Sequence, residues 1–269
     1  MTEEQRLHEE DLQRIRGFRL FDDDFMNACF DDYIEGTELV LKIIMGRDNI
    51  HVVSVKTQKL LKNLLGRDVW LDIHAVDDSG KEFDVEIQRS DRGAGFKRAR
   101  YHSSMLDSHI LKPSEDYDKL PETYVIFITE HDVIGAGQPI YMIDRQITNV
   151  GIPFDDGSHI VYVNGAYTDE STEIGKLMHD FSCIKAADMH FTVLAAKMRF
   201  FKETEEGEQT MCKVLEDMRE ETAKAASERR GVEIAIRLLN MKTLSFEQIA
   251  EATGLTLEKV QELASKEIA

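Results

Sequence analysis

Residues Val69 to Gln88 read VWLDIHAVDDSGKEFDVEIQ, and this stretch decides the fold. Two runs of alternating apolar and polar residues flank the turn-forming cluster Asp77-Asp78-Ser79-Gly80, the pattern of a β-hairpin. Alternation puts Leu71, Ile73 and Ala75 on one face with Phe83, Val85 and Ile87, and Trp70, Asp72, His74, Asp84, Glu86 and Gln88 on the other. With the loop centred on Ser79, paired positions sum to one value and Asp72 lies across from Glu86. Two carboxylates facing each other across a ladder repel. Solvent screening, a shared proton or a cation between them relieves the repulsion. On pattern alone, the plainest account is an amphipathic hairpin whose polar face meets solvent. His74 then reads as a hydrogen-bonded surface histidine, and Trp70 as a cover for the sheet edge.

The chain has 269 residues, enough for one large domain or a domain with an appendage. A hydrophobic fraction of 42% and a charged fraction of 31% are those of a soluble globular protein. Its 51 acidic and 33 basic residues give a net charge of −18. Nucleic acid must therefore be met by a local basic patch on an acidic body, and anionic membranes are disfavoured. Cys29, Cys183 and Cys212 fit neither a disulfide framework nor a zinc ribbon, and read as free thiols in a reducing compartment. The opening MTEEQRLHEED is not a signal peptide. No apolar run reaches the roughly 20 residues a membrane helix needs, so the expected location is the cytoplasm.

Outward from the hairpin, Asp24 is placed to cap a helix through Phe30, and Thr37 one with core positions Val40, Leu41, Ile43 and Ile44. Glu38 falls in the first turn of that second helix, where a carboxylate suits the dipole. After the hairpin, a glycine-bearing turn leads into FKRARYHSSMLDSHIL, a helix from Phe96 that ends before Pro113. Strands are expected over Thr123–Thr129, Pro139–Ile143 and His159–Val163, and helices over Glu173–Phe181 and Ala187–Phe201. This order predicts an α/β or α+β fold with a mixed sheet. The expected domains are residues 20–201, a charged helical connector over 202–240 with a break at Gly207 and a kink at Gly231, and a small helix-turn-helix-like segment over 241–269. Ser245 with Gln248 makes a capping box there. The second terminal helix exposes Glu258, Lys259, Gln261 and Glu262, a poor surface for phosphates, which favours protein contact over DNA readout.

Two constellations carry chemistry. Asp72, Glu86 and Gln88 share one sheet face, where two carboxylates can hold Mg²⁺ and the glutamine can orient a water. Arg89, Arg92, Lys97, Arg98 and Arg100 then follow within twelve residues, against Asp91 alone, in an otherwise acidic chain. Arg98 and Tyr101 share a helix face. The basic residues with Tyr101 are expected to grip phosphates beside the metal. His102, His109 and His179 stand at no ligand spacing.

This ordered set resembles the PD-(D/E)XK nuclease superfamily, and more narrowly the PD-(D/E)XK nuclease family transposases, or recombination-promoting nucleases. The similarity runs through Asp22-Asp23-Asp24-Phe25-Met26, Glu38, Gly66-Arg67, Leu71-Asp72-Ile73, Phe83 to Gln88, Arg98 to Tyr101 and Leu120 to Thr129. The resemblance implies a restriction-endonuclease-like core, a mixed central sheet flanked by helices, with a C-terminal helical appendage. It implies a metal-dependent DNA endonuclease linked to recombination or mobile elements, using Mg²⁺ or Mn²⁺. Asp72 would take the place of the metal-binding aspartate and Glu86 that of the second acidic ligand. Glu38 would match the acidic residue on the first core helix, as a further ligand. Gln88 stands where most of the superfamily has lysine, a departure common in the narrower group, and glutamine offers dipoles in place of a charge. The net charge, the missing lysine and the acidic terminal helices support an alternative of another class. In it the chain is a catalytically weak or inactive nuclease-fold protein that acts as a DNA-binding or protein-assembly module. The expected partners are DNA and, through the C-terminal helices, a second copy of the chain.

Overall fold

The computed structural model describes residues 2–63, 66–89, 93–241 and 243–267. Three helices come first, α1 (Glu3–Gly17), α2 (Asp23–Phe30) and α3 (Ile34–Met45). Strand β1 (Val52–Leu61) leads to the hairpin strands β2 (Val69–Asp77) and β3 (Glu82–Gln88). Helix α4 (Phe96–Ile110) crosses to β4 (Thr123–Thr129), and the short strands β5 (Ile140–Ile143), β6 (Gln146–Ile147) and β7 (Ile152–Pro153) precede β8 (Ser158–Asn164). Helices α5 (Glu173–Ser182), α6 (Thr192–Glu203), α7 (Glu205–Met241), α8 (Phe246–Thr253) and α9 (Leu257–Glu267) follow.

The turn sets the hairpin register. Asp77 Oδ1 accepts from the Ser79 N–H (2.9 Å), the Ser79 hydroxyl (2.7 Å) and the Lys81 N–H (2.9 Å), and Gly80 supplies the left-handed φ of 84°. The loop is thereby centred on Ser79, and Ile73 pairs with Val85, His74 with Asp84 and Ala75 with Phe83. The sheet runs β1-β2-β3-β4-β8-β5. Its first three strands are antiparallel, β3, β4 and β8 are parallel, and β5 returns antiparallel on β8. The expected mixed α/β fold is what forms.

Parallel strands bury both faces, so they read as continuous apolar runs. Every residue of β4, TYVIFIT, is buried. On one face Val125, Phe127 and Tyr162 pack against Ala94 and Ala99 at the start of α4. Elsewhere in this unit an aromatic core joins the first helices to the later ones: Phe21 and Phe30 meet Phe181, and Phe25 meets Phe201.

Local details differ from the sequence reading. Helix α3 starts at Ile34, so Thr37 lies inside it and its hydroxyl donates to the Tyr33 carbonyl (3.0 Å). The helix can pass through Gly36 because the Tyr33 ring folds against it, where a Cβ would come within 2.5 Å of Tyr33 Cδ1. Asp22, not Asp24, stands at the N-cap of α2. The acidic break after α6 is the single residue Thr204, whose Oγ1 accepts from the Gly207 N–H (3.1 Å).

The chain divides into two compact units, Met1–Met211 and Cys212–Ala269. In the second, Ala235, Ile249 and Val260 form a small core. Ser245 and Gln248 make the expected capping box, and Gly254 ends α8 in the left-handed conformation. Helix α7 runs unbroken through Gly231, where a Cβ would come within 2.9 Å of the Thr253 carbonyl. That glycine serves close packing. No helix among the described residues is long and apolar enough to cross a membrane.

One buried cation fastens the first unit. Lys202 of α6 donates to the carbonyls of Arg16 (3.3 Å), Phe18 and Ile184 (2.5 Å). Burial pushes its ammonium down to about 8. Lys202→Met strands three carbonyls of distant segments and should cost about 2–4 kcal/mol. Urea unfolding should show a lower midpoint with an unchanged far-ultraviolet spectrum in water.

Candidate active site

The main-chain ladder between β2 and β3 ends at the Ile73–Val85 pair. One residue further, side chains take over from it. The Asp72 N–H donates to Glu86 Oε1 (3.0 Å), and the Ile87 N–H donates to Asp72 Oδ2 (3.1 Å). Each carboxylate thus holds the backbone of the opposite strand, and the two acids converge where the hairpin opens.

The centre of the polar face does not meet solvent. Asp84 and Glu86 are 0% exposed, covered by two side chains one turn apart on α4. Arg98 Nη2 donates to Glu86 Oε2 (2.7 Å), and Nη1 donates to Gln88 Oε1 (3.4 Å) and the Gly93 carbonyl (3.2 Å). Its Nε donates to His102 Nε2 (3.2 Å), while His102 Nδ1 lies 3.0 Å from Asp84 Oδ2 and 3.6 Å from Glu86 Oε1. Because Nε2 accepts from a guanidinium, the ring is neutral and its Nδ1–H donates to Asp84. Burial, reinforced by the Arg98 charge, holds the His102 pKa below its ordinary value.

Three acids share this space. Burial and the neighbouring Glu86 raise Asp72 to about 8. Burial and Asp84 raise Glu86 to about 8. Asp84, wholly enclosed and facing Asp72, goes well above the carboxylate range, and its Oδ1 is a buried acceptor with no hydrogen-bond partner. Fully ionised, three carboxylates against the Arg98 guanidinium leave an excess of two negative charges. That is the charge a divalent cation brings. Ligand atoms of Asp84, Glu86 and His102 lie within 4.8 Å of one another, a group that could hold a metal ion.

The other expected residues are distributed unevenly. Glu38 faces elsewhere: it pairs with Lys42 (2.6 Å), accepts from the Val52 N–H (2.9 Å) and lies 4.0 Å from His51. The acid of an early helix that does act on Asp72 is Asp23, at the start of α2, whose charge adds to the rise in the Asp72 pKa. Arg89 pairs with Asp22 (2.6 Å) and Glu130 (3.5 Å). Arg92 lies outside the described residues. Lys97 and Arg100 are exposed on α4. Tyr101 donates to the Arg67 carbonyl (2.5 Å) and accepts from Asn63 Nδ2 (3.1 Å).

A cleft of about 880 Å³ opens beside the acids, lined by Arg67, Trp70, Lys97, Arg98, Tyr101 and His102 among others. Trp70 is 54% exposed on its wall, not a cover for the sheet. His74 is buried, 2.6 Å from Glu82 and 3.2 Å from Lys59. Sequence reasoning missed Asp84 and His102 as members of the cluster. The available signals were Asp84 two residues before Glu86, on the same strand face, and His102 one helical turn after Arg98.

A family model described as PD-(D/E)XK nuclease family transposase matches residues 37–233. No curated protein and no solved structure matches the chain.

The raised acids give a pH signature. Between the ordinary carboxylate value of about 4 and about 8, the folded protein binds more protons than the unfolded chain, so metal-free stability falls as pH rises through that window. In chelator, the thermal midpoint should fall across this range, and Asp72→Asn should raise it at the alkaline end and flatten the profile. Parallel profiles for the two proteins in scanning calorimetry would contradict the coupling.

Proposed function

We propose, from the premise that the chain belongs to the PD-(D/E)XK nuclease family transposases, that it is a metal-dependent DNA endonuclease serving recombination or mobile elements. The observation that carries the reading is the convergence of Asp72 and Glu86 at the open end of the hairpin, beside a basic cleft. Asp72 and Glu86 would hold the ion, with Asp84 and His102 fixing Glu86 from behind. The excess of negative charge, the raised carboxyl pKa values and the unpartnered Asp84 Oδ1 all fit a divalent cation. Hard oxygen ligands favour Mg²⁺ or Mn²⁺. Such an ion, when bound, polarises a phosphodiester and lowers the pKa of a water beside it.

The chain's own groups supply the rest. Gln88, two residues beyond Glu86, offers a carbonyl and an amide to orient the attacking water, with no net charge to neutralise the phosphate. Arg98 brings that charge from α4. It rests on Glu86 and Gln88, at the edge of the cleft, within reach of a phosphate laid there. Lys97, Arg100 and Arg67 add backbone contacts, and the exposed Trp70 indole offers a stacking surface. Acidic residues outside this patch repel DNA from the remainder of the surface. The charge and the free thiols suit a cytoplasmic setting.

A second reading rests on one specific contact. Arg98 already neutralises Glu86, and residue 88 is not a lysine, so the fold could serve DNA binding without cleavage. Calorimetry that finds DNA binding but no divalent-ion binding would favour that reading.

Two predictions separate the roles. In a plasmid-cleavage assay with Mg²⁺, Mn²⁺ or EDTA, Asp72→Ala should abolish metal-dependent nicking with the circular-dichroism spectrum retained; undiminished cutting would sink the assignment. Gln88→Ala should lower the cleavage rate by about 10²-fold, the scale of losing one positioned polar group, while leaving the calorimetric metal affinity near that of the unaltered protein.

A further inference from the structure

A second cluster of metal-ligating side chains lies outside the acid site, at the C-terminal end of α5. Glu170, His179 and His190 bring ligand atoms within 4.8 Å of one another, and His179 also groups with Asp180 and Cys183 within the same limit. His190 Nε2 is 2.8 Å from Glu170 Oε2, the two imidazole centroids are 4.8 Å apart, and Cys183 Sγ is 3.5 Å from His179 Nδ1. His179 and Cys183 are four residues apart, at the last turn and C-cap of α5, and so share one face.

Three separate chain segments are held together here by local structure. Asp180, fully buried, accepts from the main-chain N–H groups of His190 (2.7 Å) and Phe191 (2.8 Å), which fixes the start of α6 against α5. Gly175 admits the turn before α5: a Cβ there would come within 2.0 Å of the Asp169 carbonyl, so glycine is what lets residues 169–170 approach the helix. Asp180 is spent on these backbone contacts. Glu170 and the two imidazoles are left to face one another, and the Cys183 thiol lies against the His179 ring, 3.5 Å from Nδ1 and 3.9 Å from Nε2.

We propose that Glu170, His179, His190 and Cys183 form a site for a zinc-like divalent ion. Ligand atoms around a tetrahedral Zn²⁺ lie about 3.3–3.8 Å apart, from bond lengths of about 2.0–2.3 Å. The Glu170–His190 and Cys183–His179 separations of 2.8 and 3.5 Å lie on either side of that spacing, and side-chain rotation of the half-exposed Glu170 and His190 toward the thiol would close the four groups on one ion. Two nitrogens, one sulfur and one carboxylate oxygen are a borderline-soft set that favours zinc over magnesium. Binding would release the thiol proton to solvent. Four protein ligands make a closed, structural site, clamping the turn before α5, the end of α5 and the start of α6.

The proposal does not depend on the nuclease reading, and its test is separable. Cobalt(II) added to the full-length protein should give intense tetrahedral d–d bands and a thiolate-to-cobalt charge-transfer band, a signal that the oxygen- and nitrogen-bearing acid site cannot produce. Cys183→Ser should remove the charge-transfer band. In Asp72→Asn/Glu86→Gln protein, Zn²⁺ calorimetry should still show one site, weakened by more than about tenfold in His179→Ala and in His190→Ala. Absence of the charge-transfer band, or zinc binding indifferent to both histidine replacements, overturns the proposal.

Discussion

Three buried carboxyl groups at the end of the β2–β3 ladder are the constraint around which this molecule is built. Removing even one carboxylate from water costs several kcal/mol unless other groups compensate. Here Asp72, Asp84 and Glu86 share one space. Compensation comes from the N–H groups of residues 72 and 87, the Arg98 guanidinium and the His102 ring. These partners leave the acids still reluctant to ionise. Such an arrangement is poor economy for stability alone, and perturbed groups of this kind are a mark of functional sites.

The rest of the fold follows from keeping those acids in place. Arg98 and His102 reach the acids because Ala94 and Ala99 let α4 settle on Val125, Phe127 and Tyr162. Those residues are available because β3, β4 and β8 run parallel, with β4 between them buried on both faces. At the strand ends, a ring of charges made by Arg19, Asp22, Arg89 and Glu130 ties the loop before α2 to the ends of β3 and β4. The Glu130 N–H donates to the Gln88 carbonyl (3.1 Å), which fixes the backbone from which Gln88 projects. Tyr101 links α4 to the segment carrying Arg67, so both sides of the cleft answer to one helix.

Much of this was legible in the sequence, for identifiable reasons. The turn chemistry of Asp77 to Gly80 is local, so the register that sets Asp72 near Glu86 could be read directly. The run from Thr123 to Thr129 is apolar throughout because both its faces are covered, and it stood out as a strand. Long-range facts were not legible. Alternation says that Asp84 and Glu86 share a face, but not that α4 will seal that face. Glu38 and Asp23 both sit in early turns of early helices, and only the tertiary packing gives Glu38 the Val52 N–H and lets the charge of Asp23 act on Asp72. Local competition decided the start of α3, where the Tyr33 ring folds against Gly36 and lets the helix begin before Thr37.

The contact between Arg98 and Gln88 carries an evolutionary consequence. Glutamine presents a carbonyl oxygen to the guanidinium, whereas a lysine at 88 would set a second cation against it, above a cluster whose charge balance already includes Arg98. A lineage exchanging glutamine for lysine on the strand would therefore come under pressure to shed or relocate the arginine on the helix. Positions 88 and 98 should drift as a pair, so that losing one residue changes which replacements the other tolerates.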